Sequence, residues 1–273
     1  MEALGQVEGW EADAAAGVTD PESTVAVVGD QDRRFPWASV TKLLTALTVL
    51  TLVEEGTIDL DEEAGPATVR HLLAHASGLP HEGREPVSRP ERRRIYSSSG
   101  YEILGELVAE RFDAPFADAL GARVLAPLDM SGTRLEGSPA AGAAGPLRDL
   151  LVLGRELLDP TVISEEVHKE ATGVVFPGLG GVLPGYGRQE HNDWGLGFEI
   201  RDDKEPHWTG GRNSPETFGH FGQSGSFLWV DPAAGIACGS LADRPFGDWA
   251  VAAWPSLADD VLEELGTPEA PPS

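Results

Sequence analysis

From Val40 to Val53 the chain carries one charge, Lys42, among valine, leucine, alanine and the four threonines Thr41, Thr45, Thr48 and Thr51. Projected on a helix, apolar side chains occupy every side, and a helix that is apolar all round is a buried one. The pattern predicts a central helix that begins just after Pro36 and stops at Glu54-Glu55-Gly56, where glycine suits the left-handed position past a helix end. Ser39 and Lys42, three residues apart, share one face of its first turn. Burial disfavours the ammonium form, so Lys42 should lose its proton more readily than a surface lysine. A neutral amine beside a hydroxyl is a nucleophile with its own general base. Ser-x-x-Lys alone is a weak pattern. Here, however, only three of the twenty basic residues are lysines (Lys42, Lys169 and Lys204), and one of them is the sole charge of the buried run. The competing reading is a lysine that snorkels from a helix end to water.

With 273 residues there is room for one large domain or two intimate ones. A hydrophobic content of 41% and a charged content of 24% are those of an ordinary soluble globular protein. The net charge of -25 argues against nucleic acid or anionic membrane as partners, because like charges repel. An acidic, lysine-poor surface also fits a salt-rich habitat, a hypothesis that activity and stability at low and high salt would test. Met1 to Gln6 has neither the basic nor the apolar stretch of a signal peptide, and no apolar run reaches membrane-spanning length. Cys238 is the single cysteine, so an internal disulfide is excluded. A cytoplasmic location is the expectation.

Residues 2–16, acidic and alanine-rich, read as a surface helix. Ser23 to Val28 is β-branched and ends at Gly29-Asp30, a strand and its turn. Thr57 to Asp61 alternates briefly and ends in an acidic loop. A short helix is expected over Thr68–His75, an exposed charged loop over His81–Arg94, and helices over Ser98–Arg111, Pro115–Val124 and Leu147–Leu158. Residues 137–145, rich in Gly and Ala, read as a soft connection. Phe176 to Gly187 is too rich in Gly and Pro for regular structure and reads as a long, functional loop. Strands are expected at Trp194–Ile200 and Glu216–Phe221, and a hairpin from Ser226–Val230 and Gly235–Leu241 around Asp231-Pro-Ala-Ala. A closing helix spans Trp249–Leu265. Strands at both ends and helices between them predict an α+β fold: an antiparallel sheet built from both chain ends, with flanking helices and an inserted, mainly helical lobe. The expected division is 1–60 with 205–273 as the sheet domain and 61–204 as the helical insertion, including the 176–187 loop. The site is expected in the cleft between them.

Several short stretches point to one chemistry. They are Ser39-Val-Thr-Lys42, Tyr96-Ser97-Ser98, and Phe218-Gly-His220-Phe-Gly222-Gln223-Ser-Gly225, joined by His71-Leu-Leu-Ala-His75-Ala-Ser-Gly-Leu-Pro80 and Val124-Leu-Ala-Pro-Leu-Asp-Met130. Together, over roughly residues 22–265, they resemble the serine β-lactamase-related family, which includes class C β-lactamases, DD-peptidases, D-aminopeptidases and esterases. The resemblance implies a β-lactamase/DD-peptidase-like fold, Ser39 as acylated nucleophile, and Lys42 and Tyr96 as its proton-handling partners. His220 and Gly222 match the third motif, and Gln223 with Ser39 would supply the two backbone N–H groups of an oxyanion hole. Each such donor is worth on the order of 3 kcal/mol when removed. Two departures stand out: Ser98 occupies the asparagine position of Tyr-x-Asn, and His220, mostly neutral at pH 7, replaces a lysine that suits a lactam carboxylate.

Blander readings compete at several of these positions. His71 and His75, at i and i+4, have the spacing of two metal ligands, but no Glu follows His71 and the helix reads as structural. Ser77, Ser97, Ser99 and Ser224 read as turn or capping serines. No Gly-x-Ser-x-Gly occurs, which argues against an α/β-hydrolase elbow. Trp194, Trp208 and Tyr186 either line an apolar acyl pocket or pack in the core, and the Arg92-Arg93-Arg94 run reads as solvated, with the alternative that, just before Tyr96, it meets an anionic substrate. The expectation is a serine hydrolase cleaving a small ester or amide through a Ser39 acyl-enzyme, with no cofactor or metal. The alternatives are a cell-wall DD-carboxypeptidase or β-lactamase, or a catalytically silent binding protein on the same fold.

Overall fold

Both ends of the chain feed one sheet. In the computed structural model, which describes residues 1–266, a 3-10 turn at Ala3–Gly9 leads into strands β1 (Ala14–Thr19), β2 (Thr24–Val28) and β3 (Arg34–Pro36). A second 3-10 turn, Ala38–Val40, opens directly into helix α1 (Thr41–Glu54). β4 (Glu63–Ala64) and β5 (Ala67–Thr68) pair just before α2 (Val69–Leu73). The middle holds α3 (Ser98–Phe112), α4 (Phe116–Leu120) with a π turn at Gly121–Leu125, β6 (Arg134–Leu135), β7 (Ala143–Pro146), α5 (Leu147–Leu158) and α6 (Glu165–Thr172). β8 (Gly181–Leu183) and β9 (Gly187–Gln189) form a small hairpin. β10 (Glu199–Ile200), β11 (Phe218–Gly222), β12 (Ser226–Asp231), β13 (Ile236–Ala242) and α7 (Asp248–Glu264) complete the chain as described.

The main sheet runs β10-β11-β12-β13-β1-β2 with every pair antiparallel. Alternation along its strands sorts two cores. Leu228, Val230, Ala237 and Leu241 face α5 and α1, whereas Phe227, Trp229, Ile236 and Cys238 face α7 through Trp254, Leu257 and Val261. Gly17 on β1 pairs with Gly239 on β13. A Cβ on either would lie 2.8 Å from a leucine methyl of α5, so the two glycines let that helix settle on the sheet. Although α5 lies within 61–204 by sequence, it thus covers one face of the sheet.

As expected, α1 is the central helix, and every residue from Thr41 to Leu52 is buried. Its threonines are all accounted for. Thr48 and Thr51 donate back to Leu44 O (2.8 Å) and Thr48 O (2.8 Å). Thr45 donates to Pro139 O (2.6 Å) and Thr41 accepts from Ala143 N (3.0 Å), which ties the 139–143 segment across the first turns of α1.

Four expectations need correction. Residues 2–16 are a 3-10 turn followed by β1 rather than a helix, because Ala15, Ala16 and Gly17 are small enough to sit between two covered faces. Residues 137–145 include β7, which pairs with β3 and β6. The 176–187 stretch contains β8 and opens β9, with Gly185 and Gly187 at positive φ making the turn. Finally, Trp194–Ile200 is strand only at Glu199–Ile200, Trp194 making an isolated bridge to Glu199.

Candidate active site

The turn before α1 is held from three sides. Ser224 and Ser226 donate to Pro36 O and Trp37 O (2.8 Å each), and the Trp37 indole donates to Gly145 O (3.2 Å). Ala38 sits at φ +44°, a left-handed conformation rare for a residue with a Cβ, directly before Ser39. Gly222 ends β11 against this turn, where a Cβ would lie 2.5 Å from Trp37 O and 3.0 Å from Ala38 Cβ. Glycine at 222 therefore lets the strand end abut the turn and brings Gln223 to the cavity that Ser39 lines. Ser39 itself stands where the N–H groups of a helix start have no intrahelical partner.

Lys42 lies buried beneath Ser39. Its Nζ donates to Ala140 O (2.9 Å) and lies 3.3 Å from Ser39 Oγ and 3.4 Å from Ser98 Oγ. Burial lowers its pKa to about 7, against the opposing pull of Glu102. Tyr96 is nearby, its ring centroid 4.8 Å from Nζ. Its hydroxyl is buried and leans toward Ser39 without a hydrogen bond of acceptable geometry. Burial raises its pKa, so it is a phenol, not a phenolate, at neutral pH.

His220 donates from Nδ1 to Phe221 O (2.7 Å), which leaves Nε2 a lone pair, buried and without a protein partner. Burial, reinforced by Lys42, lowers its pKa to about 3, so the ring is neutral. Ser98 opens α3, whose N-cap Ser97 accepts from Gly100 N (3.1 Å). The sequence-derived residues Ser39, Lys42, Tyr96, Ser98, His220 and Gln223 thus converge, while Gly222 acts through its missing side chain.

The cavity over Ser39 has a volume of about 1480 Å³. Trp194, Phe221, Val182 and Pro184 give it apolar wall, and Arg93, Arg188, Glu82 and Glu190 also line it. Of the three aromatic candidates for that wall, Trp194 lines it, whereas Trp208 and Tyr186 are buried in the core on the α7 side of the sheet. Trp208 donates to Glu199 Oε2 (2.9 Å), as does His207 (2.9 Å), and Lys204 is bonded to Oε1. Burial alone would raise the Glu199 carboxyl, but His207 and Lys204 hold it down at about 2.

Sequence reasoning missed the segment that holds Lys42. Glu102, one helical turn beyond Ser98, accepts from the Ser138 hydroxyl, and Ser138 Oγ accepts from Ala140 N (2.9 Å). The carbonyl of Ala140 is thereby fixed over Lys42. The i, i+4 spacing puts Glu102 on the Ser98 face of α3, but nothing in the sequence leads from there to Ser138 or Ala140. The two histidines of the 71–75 pair diverge: His71 meets Thr68 and Glu91, while His75 turns into the core. Among the described residues no group of three or more His, Cys, Asp and Glu could hold a metal ion. Arg94 is a correction to the solvated run. It is buried and donates to the carbonyls of Ala74 (2.7 Å), Phe176 (2.9 Å) and Asn192 (3.1 Å), and also to that of Val175.

A sheet fed by both chain ends, with a serine and a buried lysine at the start of its central helix, is the fold of β-lactamases and DD-peptidases. The chain belongs to the β-lactamase family, whose model matches residues 6–263. A solved Mycobacterium bovis protein described as a β-lactamase (Mb2281c) is 50% identical, with a TM-score of 0.95, covering 96% of this chain and 99% of that one. Penicillin-binding protein 4 of Amycolatopsis lactamdurans is 25% identical over 95% of this chain and 84% of its own length. Penicillin-binding protein 4* of Bacillus subtilis (strain 168) is 25% identical over 136 residues, 37% of this chain and 30% of that protein, so this match spans less than a third of that relative. No helix among the described residues is long and apolar enough to cross a membrane.

Proposed function

We propose that this protein is a serine hydrolase that cleaves small esters or amides through an acyl-enzyme on Ser39. The observation that carries the reading is Lys42, buried, 3.3 Å from Ser39 Oγ and with its pKa lowered to about 7, so that a large share of it is the neutral amine at physiological pH. Lys42 takes the Ser39 proton as the hydroxyl attacks the carbonyl. The backbone N–H groups of Ser39 and Gln223 receive the developing oxyanion. Tyr96, a phenol, gives its proton to the leaving group and takes one back from the Lys42 ammonium, so both groups return to their starting states. Water then attacks the acyl-enzyme carbonyl, its proton passing to neutral Lys42 and from there to the departing Ser39 Oγ, which frees the acid and restores the hydroxyl.

The choice of ester or amide over lactam rests on the two departures. His220 offers an uncharged ring where a lactam carboxylate would need a cation, and Ser98 offers a hydroxyl where an amide would grip the substrate. The lactam reading is the second one, favoured by the 50% identical Mycobacterium bovis relative described as a β-lactamase. A binding protein without turnover shares the fold and differs in rate. Hydrolysis of p-nitrophenyl acetate and butyrate tests the proposal. The expected result is turnover in the wild type that Ser39→Ala reduces at least 1,000-fold, on the order of a lost nucleophile. Equal low rates in both proteins would leave the binding-protein reading.

A further inference from the structure

His75 is buried, carries φ +53° and stands outside the residues given a role above. Its backbone carbonyl accepts from Ile95 N (3.0 Å), and its ring Nδ1 accepts from Ser97 N (3.1 Å). One residue thus grips the chain on both sides of Tyr96. Its ring also lies 4.7 Å from the Tyr96 ring and packs edge-on against Trp194 at 4.5 Å. The left-handed backbone is part of the device, since it ends α2 and turns the residue into the core.

We propose that His75 is a positioning residue that sets the place and orientation of Tyr96 against Ser39. The proposal rests on the assignment of Tyr96 to proton handling. For the grip to work, Nδ1 must be an acceptor, which requires a neutral ring protonated at Nε2. Burial, with Lys42, His220, Arg94 and His81 around it, pushes its pKa well below the usual histidine value and keeps the ring neutral. Tyr96 and Tyr101 also pack against the ring, and burial keeps their hydroxyls protonated. A hydroxyl that must serve Ser39 without being locked to it needs its backbone fixed instead. The buried Tyr96 hydroxyl, which makes no hydrogen bond of its own, is in that situation.

The test compares His75→Asn, whose Oδ1 falls near the place of Nδ1, with His75→Gln and His75→Leu, which offer Ser97 N–H no acceptor there. Each is made in the wild type and in Tyr96→Phe, with melting temperature measured alongside kcat and KM for p-nitrophenyl butyrate. The proposal expects His75→Asn to keep kcat within about threefold and His75→Gln and His75→Leu to lose roughly 10- to 100-fold in kcat with KM little changed. In the Tyr96→Phe background the Gln and Leu variants should add almost nothing. Full losses persisting there, or wild-type kcat in folded His75→Gln, would overturn the proposal. If His75→Leu fails to fold, the Asn and Gln pair decides. Wild-type activity in Tyr96→Phe would instead remove the role of Tyr96 itself, and the proposal with it.

Discussion

Lys42 is where residue-scale physics is most exposed to test. Its pKa, lowered by burial to about 7, makes the amine a base at neutral pH. If Lys42 is the group that takes the Ser39 proton, kcat/KM rises with pH through about 7, because the charged form cannot accept it. A pH–rate profile flat from 6 to 8 would contradict this. The same burial has a sign in stability. The unfolded chain holds the ordinary lysine pKa near 10.5, so between 7 and 10.5 it binds a proton that the folded chain does not. The penalty is full below 7 and fades as pH rises toward 10.5. Lys42→Met is therefore expected to abolish turnover and to stabilise the fold at pH 7 by about 1–4 kcal/mol, measured by denaturant unfolding; a loss of stability would show that the bonds to Ala140 and Ser98 outweigh desolvation.

At the scale of elements, the site exists because a strand end abuts a helix start. Gly222 allows that approach: a Cβ there meets Trp37 O at 2.5 Å. Gly222→Ala should push β11 from the Ser39 turn and misalign Gln223, lowering kcat by about 10- to 100-fold while the melting temperature falls only modestly. Unchanged kinetics in that variant would mean the contact does not set the site. Much of this arrangement was legible in the sequence. The lone charge in the 40–53 run marked both the central helix and the buried amine, and the hairpin turn at Asp231 marked β12 and β13. What was illegible depended on tertiary partners. Ala14 to Gly17 form a strand against the helical preference of alanine, because the segment lies between two covered faces, Ala15 and Gly17 toward α5 and Ala14 and Ala16 toward α7. Ala140 contributes a backbone carbonyl, which no side-chain pattern announces. Lys204, flanked by Asp203 and Glu205, looks like a surface residue yet is buried against Glu199 and the carbonyls of Asp193 and Ile200.

For the whole molecule the dominant quantity is a net charge of -25, with 45 acidic residues against 20 basic ones. Such a surface repels itself, and salt screens it: the Debye length falls from about 10 Å at 0.1 M to about 3 Å at 1 M. Raising sodium chloride over that range should raise the melting temperature at pH 7, and a decrease would show that surface ion pairs such as Arg123–Glu55 outweigh the general repulsion.

The central claim is that Ser39 is an activated nucleophile in a site not shaped for lactam carboxylates. Intact-protein mass spectrometry after a fluorophosphonate and, separately, after a penicillin tests it most directly, on wild type and on Ser39→Ala. The expected result is one fluorophosphonate adduct that disappears in Ser39→Ala, and no penicillin adduct. An adduct with both reagents would move the cell-wall and lactam readings to the front, and no adduct with either would contradict the catalytic account.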